Sequence, residues 1–158
     1  LDAIASNQWR LLDSEILADF ESSNLVKELV DSVTDTEILG PNGIRTLGKS
    51  NPRYRPGGYH TGSSWPMDAA LIVRGLLRRG ARAEATVVAT KSIRAIEKVG
   101  AYPEFFRSDE SEKLGISRFV IDVRDAQLAR SNRICQPPQL LQGWTIAAFN
   151  WFKQEKIL

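Results

Sequence analysis

Residues 65–100 read WPMDAALIVRGLLRRGARAEATVVATKSIRAIEKVG, and this stretch decides the fold class. Pro66 suits the first turn of a helix, where its missing N–H would have had no intrahelical partner. Ala69, Ile72, Val73 and Leu76 then recur on one face of that helix. Arg78 and Arg79 complement the negative C-terminal end, and Gly80 supplies a residue able to take the left-handed cap. A second apolar stripe follows at Ala85, Val88, Ala89, Ile93 and Ile96, closing on Lys98 and Gly100. Two consecutive amphipathic helices with a tight turn between them read as a helical hairpin.

Outward from the hairpin the same periodicity continues. Ala5, Trp9, Leu12 and Ile16 lie at i, i+4, i+7 and i+11, which predicts a first helix. After Glu21-Ser22-Ser23, the residues Leu25, Val26, Leu29, Val30 and Val33 predict a second. A further helix is expected from about Gln139 through Leu140, Trp144, Ala147, Ala148 and Trp151. No segment shows convincing strand alternation, so the expected class is all-α. Two connections, 34–65 and 100–138, exceed the 12–15 residues of an ordinary linker, which marks them as functional or disordered. They carry Tyr54, Tyr59, Trp65, Tyr102, Phe105 and Phe106, an aromatic content unlike that of disordered chain. The expectation is ordered loops gathered at one end of a helical scaffold.

Composition narrows the function classes. The 158 residues are enough for one domain with its own core. A formal net charge of +2 gives no reason to expect nucleic acid or an anionic membrane surface as partner, and Arg53 with Arg55 make no more than a solvated pair. The single cysteine, Cys135, excludes an internal disulfide and reads as a small core residue. One histidine and no CxxC or HExxH spacing argue against a conventional zinc site, and nothing in the sequence implies a cofactor. The uncharged run 134–152 contains Gln136, Pro137, Pro138, Gln139, Gln142, Thr145 and Asn150, too polar for a membrane span. The sequence starts at Leu1 in what reads as the middle of a helix, so a fragment of a longer protein is expected, with the cytoplasm as its expected location.

Two loop segments carry residue types suited to chemistry on a sugar. Tyr59-His60-Thr61-Gly62-Ser63-Ser64-Trp65-Pro66-Met67-Asp68 sets flat aromatic rings beside hydrogen-bonding groups. A purely structural reading competes, with Trp65 plugging the core and Asp68 sitting in the first helical turn near the positive dipole end. In Ala101-Tyr102-Pro103-Glu104-Phe105-Phe106, a carboxylate stands between a proline and two aromatics. Desolvation there would favour general-base duty; the alternative is an exposed glutamate above packed neighbours. Asp109, Glu110 and Glu112 read as an exposed charged run.

Ser6-Asn7, Gly43-Ile44-Arg45-Thr46-Leu47, the Tyr59–Asp68 segment, Pro103-Glu104, Cys135 and Gln142-Gly143-Trp144 occur in one order. That series resembles the C-terminal half of bacterial amylo-α-1,6-glucosidase-like, glycogen-debranching-type enzymes. Their wider group takes in glucosylglycerate hydrolases, processing α-glucosidases, trehalases and glucoamylases. The resemblance covers roughly residues 3–151 and implies a partial (α/α)6 toroid, with residues 1–158 forming the C-terminal portion of a catalytic domain.

It also implies an inverting hydrolase of α-linked glucosides that uses two carboxyl groups about 6.5–9.5 Å apart. Glu104 matches the position of the base in such enzymes, and Glu104–Leu114 is similar to the glucoamylase stretch around its base. The acid is expected upstream of these residues, so this chain alone is expected to be inactive. Tyr59, His60, Trp65 and Asp68 are implied to line the glucosyl subsite, with Arg45 and Trp144 as further candidates. Trp9-Arg10 stands where relatives carry Gly-His, and Ala69 where they carry Asn. The expected partners are a carbohydrate substrate and either the remainder of the toroid or a second copy of the chain. The alternative is a glycan-binding or helical interaction domain that has kept the fold without catalysis.

Overall fold

The computed structural model describes residues 3–20, 23–109, 141–155 and 157. It contains helices α1 (Asn7–Arg10), α2 (Asn24–Ser32), α3 (Pro66–Arg78), α4 (Arg82–Val99) and α5 (Gly143–Gln154), with 3-10 turns at Leu11–Asp13 and Glu15–Phe20. Among the described residues the chain is all-α apart from one antiparallel pair of two-residue strands. These are β1 (Leu39–Gly40) and β2 (Gly43–Ile44), in which Leu39 faces Ile44.

The α3–α4 hairpin follows its local signals. Pro66 opens α3, while Gly80 and Gly100 take positive φ values of 72° and 64° just beyond the two helix ends. The anticipated stripes are the buried ones: Ala69, Ile72, Val73 and Leu76 on α3, and Ala85, Val88, Ala89, Ile93 and Ile96 on α4. Each large aliphatic side chain removed from water in this way contributes roughly 1.5–3 kcal/mol before chain entropy is counted. α3 is the central element, touching α4, α5, α1 and the Leu11–Asp13 turn. Its approach to that turn depends on Gly75, where a Cβ would lie 2.5 Å from the Asp13 amide nitrogen and 2.6 Å from the Leu12 carbonyl carbon. Arg74 clasps the Asp13 carboxylate through Nε at 2.8 and 2.9 Å, and Arg78 Nη1 donates to the Asp13 carbonyl at 2.9 Å.

Three expectations need correction. The first helix does not continue to Ile16, because Ser14 turns extended at φ −92°, ψ 147°. That break shifts the register, so Leu17 is buried and Ile16 is exposed. Ser14 Oγ accepts from the Ile16 amide at 3.1 Å, a local bond that competes with helix continuation. In the second helix Leu25 faces solvent; Val26 and Val33 are buried and Leu29 and Val30 pack partly against the core. The last helix starts at Gly143, after Gln142 at φ −107°, ψ 126°, and it buries Thr145, Ala148 and Phe152. Trp144, Ala147 and Trp151 lie to one side of that face. With Met67, Ala70, Leu71 and Arg74 of α3 they line an apolar groove of about 260 Å³.

The expected charged run also differs, since Asp109 pairs with the buried Arg107 at 2.5 Å. Glu110, Glu112, Cys135, the prolines 137 and 138, Gln139 and Leu140 lie outside the described residues. Among the described residues no helix is long and apolar enough to cross a membrane.

Candidate functional site

Backbone bonds lace four chain segments together beside the N-terminus of α3. Isolated antiparallel bridges join Ala5 to Leu47, Arg45 to Ser64, and Ser64 to Phe106. Ser64 and Phe106 exchange both of their bonds, at 2.9 and 2.8 Å, and the Thr46 amide donates to the Ser63 carbonyl at 2.8 Å. The described parts of both long loops are thereby tied to each other by main-chain bonds. The segment bearing Glu104 is also held from behind, by Thr145 Oγ1 donating to the Pro103 carbonyl at 2.8 Å and the Gln142 amide donating to the Tyr102 carbonyl at 2.9 Å.

Tyr59, His60, Trp65 and Glu104 come together here. Trp65 stacks with His60, with centroids 5.2 Å apart and planes 19° apart, and with Phe105, at 5.4 Å and 20°. Tyr59 meets His60, Trp65 and Phe105 edge-on at 4.5, 4.8 and 5.3 Å. Trp65 is only 6% exposed, and its Nε1 donates to the Tyr59 carbonyl and to Ser63 Oγ. It fills the loop interior against these rings, of which His60 is exposed.

Glu104 is 3% exposed. Its Oε1 accepts from the Tyr59 hydroxyl at 2.7 Å, and its Oε2 is buried with no hydrogen-bond partner among the described residues. The bond to the Glu104 carboxylate, helped by burial and by the carboxylate charge, pushes the Tyr59 phenol up to about 12. The phenol therefore keeps its proton and stays a donor across the neutral range.

Asp68, 7% exposed, sits in the first turn of α3. Ser6 Oγ donates to its Oδ2 at 2.7 Å, and Arg10 Nη1 stands 3.5 Å from Oδ1 with its own side chain 44% exposed. Arg45 lies apart from the rings, donating to the carbonyls of Thr36 at 2.8 Å and Ser108 at 3.5 Å, which ties the first long loop to the second. Trp144, 40% exposed, lines the α3–α5 groove and shares no ring contact with the Tyr59 cluster. Sequence reasoning did not single out Ser63, Phe105 or Thr145 as site-supporting residues. Phe105 had a signal in its place beside Glu104, and Thr145 had none. Among the described residues no group of three or more His, Cys, Asp or Glu side chains stands close enough to hold a metal ion.

Comparison of folds shows that this all-α chain is similar to part of larger helical proteins of known structure. The GH63 mannosylglycerate hydrolase from Thermus thermophilus, crystallised in complex with Tris, superposes with a TM-score of 0.63 over 95% of this chain at 14% identity. An uncharacterised conserved protein from the same organism gives 0.55 over 69% of the chain at 15% identity. The chain spans 30% of the length of the first and 27% of the second. A comparison with curated protein sequences finds no match. The chain belongs to the mannosylglycerate hydrolase MGH1-like glycoside hydrolase family, whose sequence model matches residues 16–120.

Proposed function

We propose that this chain supplies the general base, Glu104, and part of the sugar-binding surface of an inverting hydrolase of small α-linked glycosides. The observation that carries the reading is the Glu104 carboxylate, buried with one oxygen held by Tyr59 and the other left without a hydrogen-bond partner among the described residues. Buried polar groups almost always find partners, so a buried carboxylate oxygen without one among the described residues marks a place for an incoming donor. Oε2 thus has lone pairs for one incoming donor, which a nucleophilic water or a sugar hydroxyl provides.

In the proposed reaction Glu104 takes a proton from water as the water oxygen bonds to the anomeric carbon. The glycosidic C–O bond breaks on the opposite face, and the leaving oxygen receives a proton from a second carboxyl group. Asp68 does not suit that second role as it stands, because both of its oxygens already meet donors, Ser6 and Arg10. It suits a holder of sugar hydroxyls, with the exposed Arg10 as the partner that gives way. The family's name favours a small glycoside, a hexose linked to glycerate, over the branch points of a glucan, the other specificity that the sequence resemblance suggested.

The test is hydrolysis of mannosylglycerate, glucosylglycerate and an α-1,6-linked glucan by the protein as its gene encodes it, with the first-formed anomer read by NMR. The expected results are an inverted product from a glycerate glycoside and a loss of at least roughly a thousand-fold in Glu104→Gln, within the range ascribed to general-base catalysis combined with water positioning. A product of retained configuration, or near-normal turnover in Glu104→Gln, refutes it. Tight glycoside binding without turnover replaces it with the binding-domain alternative.

A further inference from the structure

Tyr59 was expected to touch the sugar, yet its hydroxyl is committed elsewhere. The residue is fixed at both ends. Its carbonyl accepts from Ser63 Oγ at 2.6 Å and from Trp65 Nε1 at 3.0 Å, and its ring is wedged edge-on against His60, Trp65 and Phe105. The hydroxyl then reaches 2.7 Å to Glu104 Oε1, across 45 residues of chain.

We infer that Tyr59 is a positioning residue: its hydroxyl pins one oxygen of Glu104 so that the other alone faces the incoming donor. The inference rests on the reading of Glu104 as the base and goes further by assigning how that base is aimed. Rotation of a carboxylate about its last torsion is soft, because such sp3–sp2 torsions have broad wells. A free Glu104 would therefore present either oxygen at a range of angles. One charge-assisted bond to a clamped phenol removes that freedom. The direction of the shift on Tyr59 agrees with this arrangement, since a phenol that keeps its proton is always the donor and never competes for a proton from water. Oε2, buried and unpartnered among the described residues, is left as the single site of proton uptake. The hydroxyl cannot donate to a sugar without releasing Glu104, so any bond it makes to a sugar is as an acceptor.

Two measurements on the protein as encoded test the inference. The first is alkaline titration of tyrosinate absorbance, with Tyr59→Phe identifying the signal of Tyr59 among the other tyrosines. The expected result is one phenol titrating at about 12 that falls toward the ordinary value near 10 in Glu104→Gln. A Tyr59 that titrates the same with and without the Glu104 carboxylate overturns the inference whatever the enzyme's activity.

The second is the steady-state kinetics of Tyr59→Phe, which keeps the ring and removes only the hydroxyl. Losing one hydrogen bond to a charged group should lower kcat by roughly ten- to a hundred-fold, with KM changed no more than about two-fold. A raised KM with kcat preserved makes Tyr59 a sugar contact and overturns the inference. The two readings fail separately. Full activity in Glu104→Gln removes the base from Glu104 and both proposals with it. Loss of activity in Glu104→Gln beside unchanged kinetics in Tyr59→Phe removes only the positioning role.

Discussion

Replacing Gly75 with alanine sets two effects of known sign against each other. In the interior of an exposed helix the substitution stabilises by about 1 kcal/mol, because glycine forfeits more backbone freedom on folding. In α3 the new Cβ would lie 2.5 Å from the Asp13 nitrogen, 2.6 Å from the Leu12 carbonyl carbon and 2.7 Å from the Leu12 Cβ, where ordinary contact begins at 3.4 Å. Two of those three atoms are main chain, so relief requires the Leu11–Asp13 turn to back away from α3 by most of an ångström. Leu12 is fully buried, and Arg74 and Arg78 hold Asp13 in place, so the movement opens the core and strains the ion pairs. Overpacking of this kind costs about 1–3 kcal/mol, which exceeds the helical gain.

The expected outcome for Gly75→Ala is a net loss of about 1 kcal/mol. Urea unfolding followed by circular dichroism would register this as a midpoint lowered by roughly 0.3–1 M with unchanged slope. Gly143→Ala is the control, since nothing lies within 4 Å of a Cβ built there. It should leave the midpoint unchanged or raise it. A Gly75→Ala protein as stable as the parent, at equal slope, would refute the claim that backbone contact sets the spacing of α3 from the first turn.

Two further expectations follow from the site. Ser6→Ala removes a bond to the buried Asp68 carboxylate and should cost about 2 kcal/mol, whereas Arg10→Met removes a half-exposed ion pair and should cost under about 1 kcal/mol; equal losses in urea unfolding would contradict the ranking. The raised phenol of Tyr59 also makes stability depend on alkaline pH. Between about 10, where the unfolded chain releases this proton, and about 12, where the folded chain does, only the folded state holds it, so its contribution is full below 10 and declines as pH rises through that window. Midpoints measured across the window should fall less steeply in Tyr59→Phe than in the parent.

The hairpin of α3 and α4 was legible because its signals are local: a proline at one start, glycines at both ends and apolar spacing of 3 and 4 between them. The first helix misled because Ile16 continues the apolar periodicity, while the chain tightens to a 3-10 turn after Arg10 and turns extended at Ser14, whose hydroxyl takes the Ile16 amide. The last helix misled for a related reason. Trp144 and Trp151 are its largest side chains, yet the smaller Thr145 and Ala148 point inward with Phe152. For the site, Glu104 and the Tyr59–Asp68 segment stood out by residue type. Their pairings did not, because Tyr59–Glu104 and Ser6–Asp68 span 45 and 62 residues and the lacing between loops is mostly main chain, which leaves no side-chain pattern to read.

The Glu104 segment is anchored on two helices at once. Pro103 and Tyr102 hang from the start of α5, and Phe106 is fastened to Ser64 just ahead of α3. The carboxylate therefore spans a joint, like a gauge bridging two plates. A small slide of α5 along α3 would pull on the Pro103 end of the segment and, through it, on the bond between Tyr59 and Glu104. The apolar seam between those helices, lined by Met67, Trp144 and Trp151 rather than by the stacked rings, is thus where a sequence change would reach the carboxylate while every residue of the stack stays the same.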